Sequence, residues 1–245
     1  MLLHVIASGS KANCYVMETE NEALILECGV PFANIIKTLQ YQNKAKGILL
    51  THEHGDHAKY AKDFANHSIL HGTSETLEVL GIKHGIAVEY GKTYGIGSFR
   101  VMPFKTKHDA VKPCGYLINH KDCGNVLFAT DTYYIPVSVE NINTMIIECN
   151  YIDNVLQDNY DNGIVDKTRY ERVMLSHMGL GTVVKYINGY KPEQLCKCKV
   201  VLIHMSRQNG NKQTMIDTIK EQCGLMANVF APDNGDKIVI DKIPF

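Results

Sequence analysis

A short apolar run, Gly47-Ile48-Leu49-Leu50, leads straight into Thr51-His52-Glu53-His54-Gly55-Asp56-His57. Three histidines and an aspartate within six residues constrain this chain more than any other feature. Imidazole and carboxylate together suit zinc and similar divalent ions. A buried strand ending at Leu50 would put the next residues at a sheet edge, where side chains converge. His52 and His54 are two apart, so they point the same way in an extended segment. Gly55 allows a turn that sends Asp56 and His57 toward a second centre. A polar loop that happens to be histidine-rich is the bland alternative, and it leaves the apolar strand in front unexplained.

Four donors so close together do not comfortably serve one tetrahedral ion. Two ions need further donors, and His108, Asp131 and His204 are the candidates. Each follows a strand-like run: Val101 to Phe104 before His108, Val126 to Ala129 before Asp131, and Val200 to Ile203 before His204. Ligands at the same ends of several strands are how a sheet assembles a site. Singly, each has an ordinary reading: a surface loop residue, a turn or helix cap, a hydrogen-bonded strand end.

The rest of the chain reads as α/β. Leu2–Ala7, Cys14–Met17 and Ala23–Leu26 form an antiparallel meander. Pro31 suits a first helical position, with Phe32, Ile35, Ile36 and Leu39 spaced as one buried face. Helices are expected over Ala58–Ala65 and Ser74–Leu80, and residues 86–131 are strand-like. Asp122-Cys123-Gly124 marks a hairpin between Gly115–Asn119 and Asn125–Ala129. Met145–Ile147, Val200–Ile203, Val229 and Ile238–Ile240 are later strands. Helical periodicity falls on Asp166–Met174, Thr182–Ile187 and around Met215–Ile219, the last capped by Gly224. This order predicts two sheets with helices outside them, in one domain spanning residues 1–245.

Composition narrows the function classes. Twenty-five basic and 26 acidic residues give a net charge of −1, which disfavours a strongly basic nucleic-acid binder but not a local basic patch. No apolar run reaches the ~18 residues of a membrane span. The start of the chain lacks a signal-peptide pattern, and the eight cysteines read as reduced, mostly buried groups in a cytoplasmic protein.

With its later His, Asp and His, the His-x-His-x-Asp-His run resembles the metallo-β-lactamase superfamily. Ser8-Gly9-Ser10 with Asn13, His108-Asp109-Ala110 with Pro113 and Gly115-Tyr116, Ala129-Thr130-Asp131-Thr132, Glu148-Cys149-Asn150, and Ile203-His204-Met205-Ser206-Arg207 with Asn209 are similar to its YycJ/WalJ-type exonuclease branch. The resemblance implies a four-layer αββα sandwich and a dinuclear site of two divalent ions, Zn2+ or Mn2+. It implies His52, His54 and His108 on one metal, Asp56, His57 and His204 on the other, and Asp131 bridging. His54 stands where di-iron electron-transfer relatives carry Glu, which favours a hydrolase. Glu27, before Gly29, stands where the family usually has Asp, and is expected to orient a ligand.

The activity so implied is a phosphodiesterase or 5′-to-3′ DNA exonuclease. Two ions ~3.5–4 Å apart hold a bridging hydroxide for in-line attack, with Asp56 also orienting it. His177, in Leu175-Ser176-His177-Met178, resembles a His-Leu-Ser segment of the branch and is the candidate acid for the leaving group. Its ordinary reading is a helix-capping or core histidine. Arg207 and Ser10 are candidates for substrate phosphate, against readings as a solvated charge and a tight turn. The expected partner is a nucleic-acid end or a small phosphodiester. Cleavage of a cyclic or signalling nucleotide, or of a lactone, thioester or lactam, stands as the alternative.

Overall fold

The computed structural model describes residues 1–39, 42–224 and 228–242. In chain order come β1 (Leu2–Ala7), β2 (Cys14–Glu18), β3 (Ala23–Leu26), α1 (Ala33–Ile36), β4 (Ala45–Leu49), α2 (Gly55–Ala58), α3 (Ala61–Phe64), β5 (Leu70–Gly72), α4 (Ser74–Leu80) and β6 (Ile86–Ala87). Then follow β7 (Tyr94–Ile96), β8 (Phe99–Lys105), β9 (Cys114–His120), β10 (Gly124–Ala129), β11 (Ile142–Glu148), α5 (Asp153–Asp161), α6 (Lys167–Ser176), α7 (Leu180–Ile187), α8 (Pro192–Leu195), β12 (Lys199–Ile203), α9 (Lys212–Cys223), β13 (Val229–Phe230) and β14 (Lys237–Val239).

Among the described residues the strands make two seven-stranded sheets, ordered β14-β1-β2-β3-β4-β5-β6 and β13-β12-β11-β10-β9-β8-β7. Both change character partway. Pairing is antiparallel from β14 to β3 and parallel from β3 to β6. The second sheet repeats this, antiparallel from β7 to β10 and parallel from β10 to β13. In such sheets functional groups collect beyond the carboxyl ends of the parallel strands.

Strict alternation along the apolar runs builds the layers, because successive strand side chains face opposite ways. Leu24, Leu26 and Leu49 meet Phe128, Ile146, Val201 and Ile203 between the sheets. Their neighbours Ile25, Ile48 and Leu50 pack outward on Phe32, Ile35 and Phe64. Leu127, Met145, Ile147, Val200 and Leu202 pack outward on Val183, Ile187, Met215 and Ile219. Each such side chain contributes about 1.5–3 kcal/mol when fully buried. The result is the αββα sandwich, and its double-sided burial is why these strands read as continuous apolar runs.

Local departures from the sequence reading have physical causes. α1 starts at Ala33 with Phe32 as N-cap, so Pro31 lies outside it. A single turn offers one narrow face, and Ile36 is left 41% exposed while Phe32, Ile35 and Leu39 are buried. The helix expected over Ala58–Ala65 is split into α2 and α3, because the Tyr60 N–H donates to Cys28 O at 3.0 Å instead of continuing the helix. α5, which the sequence reading does not anticipate, buries Leu156 alone. The hairpin turn at Gly124 (φ 70°) and the left-handed caps Gly81 and Gly224 (φ 66° and 68°) match expectation. All eight cysteines are free, and all but Cys196 are buried. Among the described residues no helix is long and apolar enough to cross a membrane.

The Asn211 side chain caps α9 by accepting the Thr214 N–H at 3.0 Å. Asn211→Ala is expected to cost about 1 kcal/mol, seen as a fall of roughly 2–4 °C in a thermal melt. A melt that does not move would show the cap to be silent.

Candidate metal centre

The centre forms where strand ends from both sheets converge. From the first sheet, β4 runs into Thr51-His52, and His54 is the N-cap of α2. Gly55 opens that helix in ordinary backbone geometry, so Asp56 and His57 stand on a helical turn rather than in a glycine-permitted loop. From the second sheet, His108 follows β8, Asp131 follows β10 and His204 directly follows β12. Asp131 (φ 48°), His204 (φ 53°) and Glu27 (φ 69°) are in the left-handed region without being glycine. Such backbone costs about 1–3 kcal/mol per residue and gathers at functional sites.

The structure brings all seven candidate donors together. His52, His54 and His108 offer ligand atoms within 4.8 Å of one another, as do Asp56, His57 and His204. Asp131 lies between the two groups: Oδ1 is 3.7 Å from His108 Nε2, while Oδ2 is 3.1 Å from His57 Nε2 and 3.7 Å from His204 Nδ1. Ser10 and Arg207 are not in this cluster. Both are exposed and line a cavity beside it.

Three of the imidazoles are hydrogen-bonded from behind, and a fourth faces a carboxylate there. His52 Nδ1 pairs with Thr51 Oγ1 at 2.8 Å. His108 Nδ1–H donates to Ser176 O at 3.1 Å. His204 Nδ1–H donates to Glu148 Oε1 at 2.8 Å. His57 Nδ1 faces Glu27 Oε2 at 3.6 Å, so Glu27 does stand behind a candidate donor. That arrangement leaves Nε2 of each ring for the interior, as metal-binding histidines are held. His52 Nε2 is buried with no hydrogen-bond partner, a condition that costs about 1–3 kcal/mol when nothing compensates it. His108 Nε2 and His54 Nδ1 face each other at 3.1 Å. Inward-facing imidazoles around a shared carboxylate fit divalent ions, and mixed nitrogen and oxygen donors suit zinc or manganese.

Electrostatics agree. Burial pushes His204 down, but the charge of Asp131 and the hydrogen bonds to Asp56 and Glu148 outweigh it and lift the ring to about 10. Burial and then Asp131 act the same way on His57, which ends well above its usual value. Asp131 is itself held well below the carboxylate range, because His204 and His57 overcome its burial. His52 goes the other way, lowered by burial and by the neighbouring His57. Such a carboxylate field retains protons on imidazoles and yields them to a metal ion.

Sequence reasoning underrated Glu148. Its buried Oε1 also accepts His177 Nδ1–H at 2.6 Å, and Oε2 accepts the amides of Thr132 and Met178 at 3.2 and 3.3 Å. One carboxylate therefore holds both His177 and His204, and its position as the last residue of β11 was the available signal. His177 is the C-cap of α6, so its ordinary helix-capping reading is also met. It lies 5.4 Å, ring centre to ring centre, from both His108 and His204. Burial lowers its pKa, but the Glu148 charge and hydrogen bond raise it overall. Asn13 is a second such residue. Its Nδ2 reaches Gly9 O, Asp56 Oδ2 and His57 Nε2 at 3.1, 3.3 and 3.1 Å.

The chain is 27% identical to the exodeoxyribonuclease WalJ of Streptococcus pneumoniae, over 89% of this chain and 86% of that one. It is 25% identical to the exodeoxyribonuclease YycJ of Bacillus anthracis, over 60% and 62%. The metallo-beta-lactamase fold protein YhfI from Bacillus subtilis superposes with a TM-score of 0.72 at 17% identity, covering 97% and 98% of the two chains. Superfamily and relatives point to a metal-dependent hydrolase. A family model described as the beta-lactamase superfamily domain matches residues 31–205, and the chain belongs to that superfamily, with the metallo-β-lactamase fold.

Proposed function

We propose that the protein is a dinuclear metal-dependent phosphodiesterase acting at nucleic-acid ends. His52, His54 and His108 would hold one ion, Asp56, His57 and His204 the other, and Asp131 would serve both. Bound there, zinc or manganese supplies Lewis acidity toward a phosphoryl oxygen and lowers the pKa of water. The observation that carries the reading is the Glu148–His177 pair beside the donor cluster. An alkoxide leaving a phosphodiester needs a proton. Glu148 at Nδ1 stabilises the imidazolium form and leaves Nε2–H without a described partner, ready to donate. Asp56 Oδ2 is occupied by Asn13 and the imidazoles of His57 and His204, and Oδ1 remains to orient the attacking water. Arg207, three residues past His204, and Ser10 both line the adjoining cavity and are the candidates for a substrate phosphate. The exodeoxyribonuclease relatives support nucleic-acid ends over carboxyl esters.

The test is hydrolysis of bis-p-nitrophenyl phosphate after addition of zinc or manganese, beside a chromogenic β-lactam. Metal-dependent release from the diester is expected. Lactam turnover without diester release overturns the reading. On a short oligonucleotide, whose leaving group is an alkoxide, His177→Ala is expected to lower kcat about 10- to 100-fold with metal content unchanged, and to lower it far less on bis-p-nitrophenyl phosphate, whose p-nitrophenolate leaves without a proton. Unaltered turnover of the oligonucleotide would remove His177 from the mechanism.

A further inference from the structure

A cavity of about 740 Å3 opens beside the centre, in the size range that encloses a small organic ligand. It is walled by the Ser8–Ala12 turn on one side and the segment after His204 on the other. Wall and centre share a backbone, because Ser8 Oγ accepts the His204 N–H at 2.9 Å and Asn13 ties Gly9 to Asp56. Lys11, Arg169, Arg207 and Lys212 all line it. Asp233 is its one lining carboxylate, and Lys212 already engages it. Among the described residues no carboxylate pairs with Lys11, Arg169 or Arg207. Ser10 and Lys11 are the central residues of a turn closed by Ala12 N–H to Gly9 O at 3.1 Å, and their own amides donate to no described group. Consecutive free amides in a turn, backed by unpaired cations, make an anion-binding concavity. On a chain whose net charge is −1, this concentration of positive charge is local.

We infer that this cavity is a second anion subsite, which takes the phosphate one nucleoside removed from the scissile bond. The inference rests on the phosphodiesterase reading and deepens it. It makes the preferred substrate a nucleotide unit with phosphates on both sides of its sugar, and it gives Lys11 and Arg169 a purpose. A cavity this large holds more than an isolated phosphate, and its cations lie on three separate segments, so they can reach a sugar-phosphate from several directions.

Calorimetric titration of the metal-loaded protein with thymidine 3′,5′-bisphosphate and thymidine 5′-monophosphate tests it. The bisphosphate is expected to bind about tenfold tighter or more, with the advantage shrinking as salt is added. The double variant Lys11→Gln, Arg169→Gln is expected to bring the two affinities within about threefold of each other. Arg169→Lys, which keeps the charge, is expected to retain most of the preference. A melt matching wild type shows that each variant is folded. Equal affinities in wild type, or a preference unmoved in the folded double variant, overturns the subsite. Pentathymidylate with cleavage-resistant phosphorothioate linkages binding tighter than the bisphosphate assigns the subsite to a strand, and equal binding assigns it to a mononucleotide. Bis-p-nitrophenyl phosphate has a single phosphorus and tests the reaction class alone. A protein that cleaves it without preferring the bisphosphate loses only the subsite.

Discussion

Asp131→Ala is expected to reduce metal-dependent cleavage of bis-p-nitrophenyl phosphate by on the order of 10³-fold or more. Both oxygens of this carboxylate are committed, one toward His108 and the other toward His57 and His204. No other described carboxylate faces both groups of donors. Removing it takes away a shared ligand and leaves two buried, proton-retaining imidazoles without their main counter-charge. Metal content by mass spectrometry after dialysis should fall from about two ions per chain toward one or none. The metal-free protein should also lose about 3–5 kcal/mol of stability, because the buried imidazoles keep their charge without its partner, so turnover is compared on a variant shown by its melt to be folded. Full metal content with turnover within tenfold of wild type would contradict the assignment.

Gly29→Ala is expected to be the most damaging single methyl group near the site. A Cβ on Gly29 would lie 2.0 Å from Asp56 O, and 2.6 and 2.8 Å from Asn13 N and O. These are backbone atoms, so no rotamer change relieves the clash. They are also tied together: Asn13 N–H donates to Asp56 O at 2.7 Å, Gly29 N–H to Asn13 O at 3.0 Å, and Cys28 N–H to His57 O at 2.6 Å. The chain must separate along that seam. A loss of about 3 kcal/mol or more is expected, seen as a drop of roughly 6–12 °C in the melt. Because the seam carries Asp56 and His57, metal affinity should fall with stability. Ala at Gly91, around which a Cβ meets nothing within 4 Å but which has φ 77°, tests the separate contribution of backbone strain. If Gly29→Ala melts no lower than Gly91→Ala, the close approach is not what Gly29 is for.

The layers and the donor cluster were legible in the sequence for one reason. Apolar runs such as Ile48–Leu50 and Val200–Ile203 end abruptly in polar residues, and parallel strands in one sheet end on one edge. Asp131 and His204 inherit their proximity from that edge of the second sheet, and His52 stands at the corresponding strand ends of the first. Glu148 was less legible, because a lone acid after Met145-Ile146-Ile147 reads equally as a strand terminator. Only the fold shows it meeting two histidines from distant segments. The turn at Gly55 does send Asp56 and His57 toward His204, and it is helical because the carbonyl of His54 recruits the next residues: it accepts His57 N–H and Ala58 N–H at 2.9 and 2.8 Å. The α2–α3 break was invisible, because it depends on Cys28 O capturing the Tyr60 amide across a distance in sequence. Ser10 and Arg207 were named for phosphate, but their position in a cavity beside the donors depends on a turn near residue 9 meeting the segment after β12.

The division of the donor set between the two sheets bears on when activity can arise during synthesis. His52, His54, Asp56 and His57 accompany the first sheet, and His108, Asp131 and His204 the second. A ribosome-bound chain that has released only the first group owns half a centre. The first sheet is itself closed late, since Leu2 pairs with Val239. Contacts so distant in sequence form slowly. A growing or half-folded chain therefore lacks the complete donor set, and the appearance of metal-dependent hydrolysis in a refolding reaction is expected to report the docking of the two sheets.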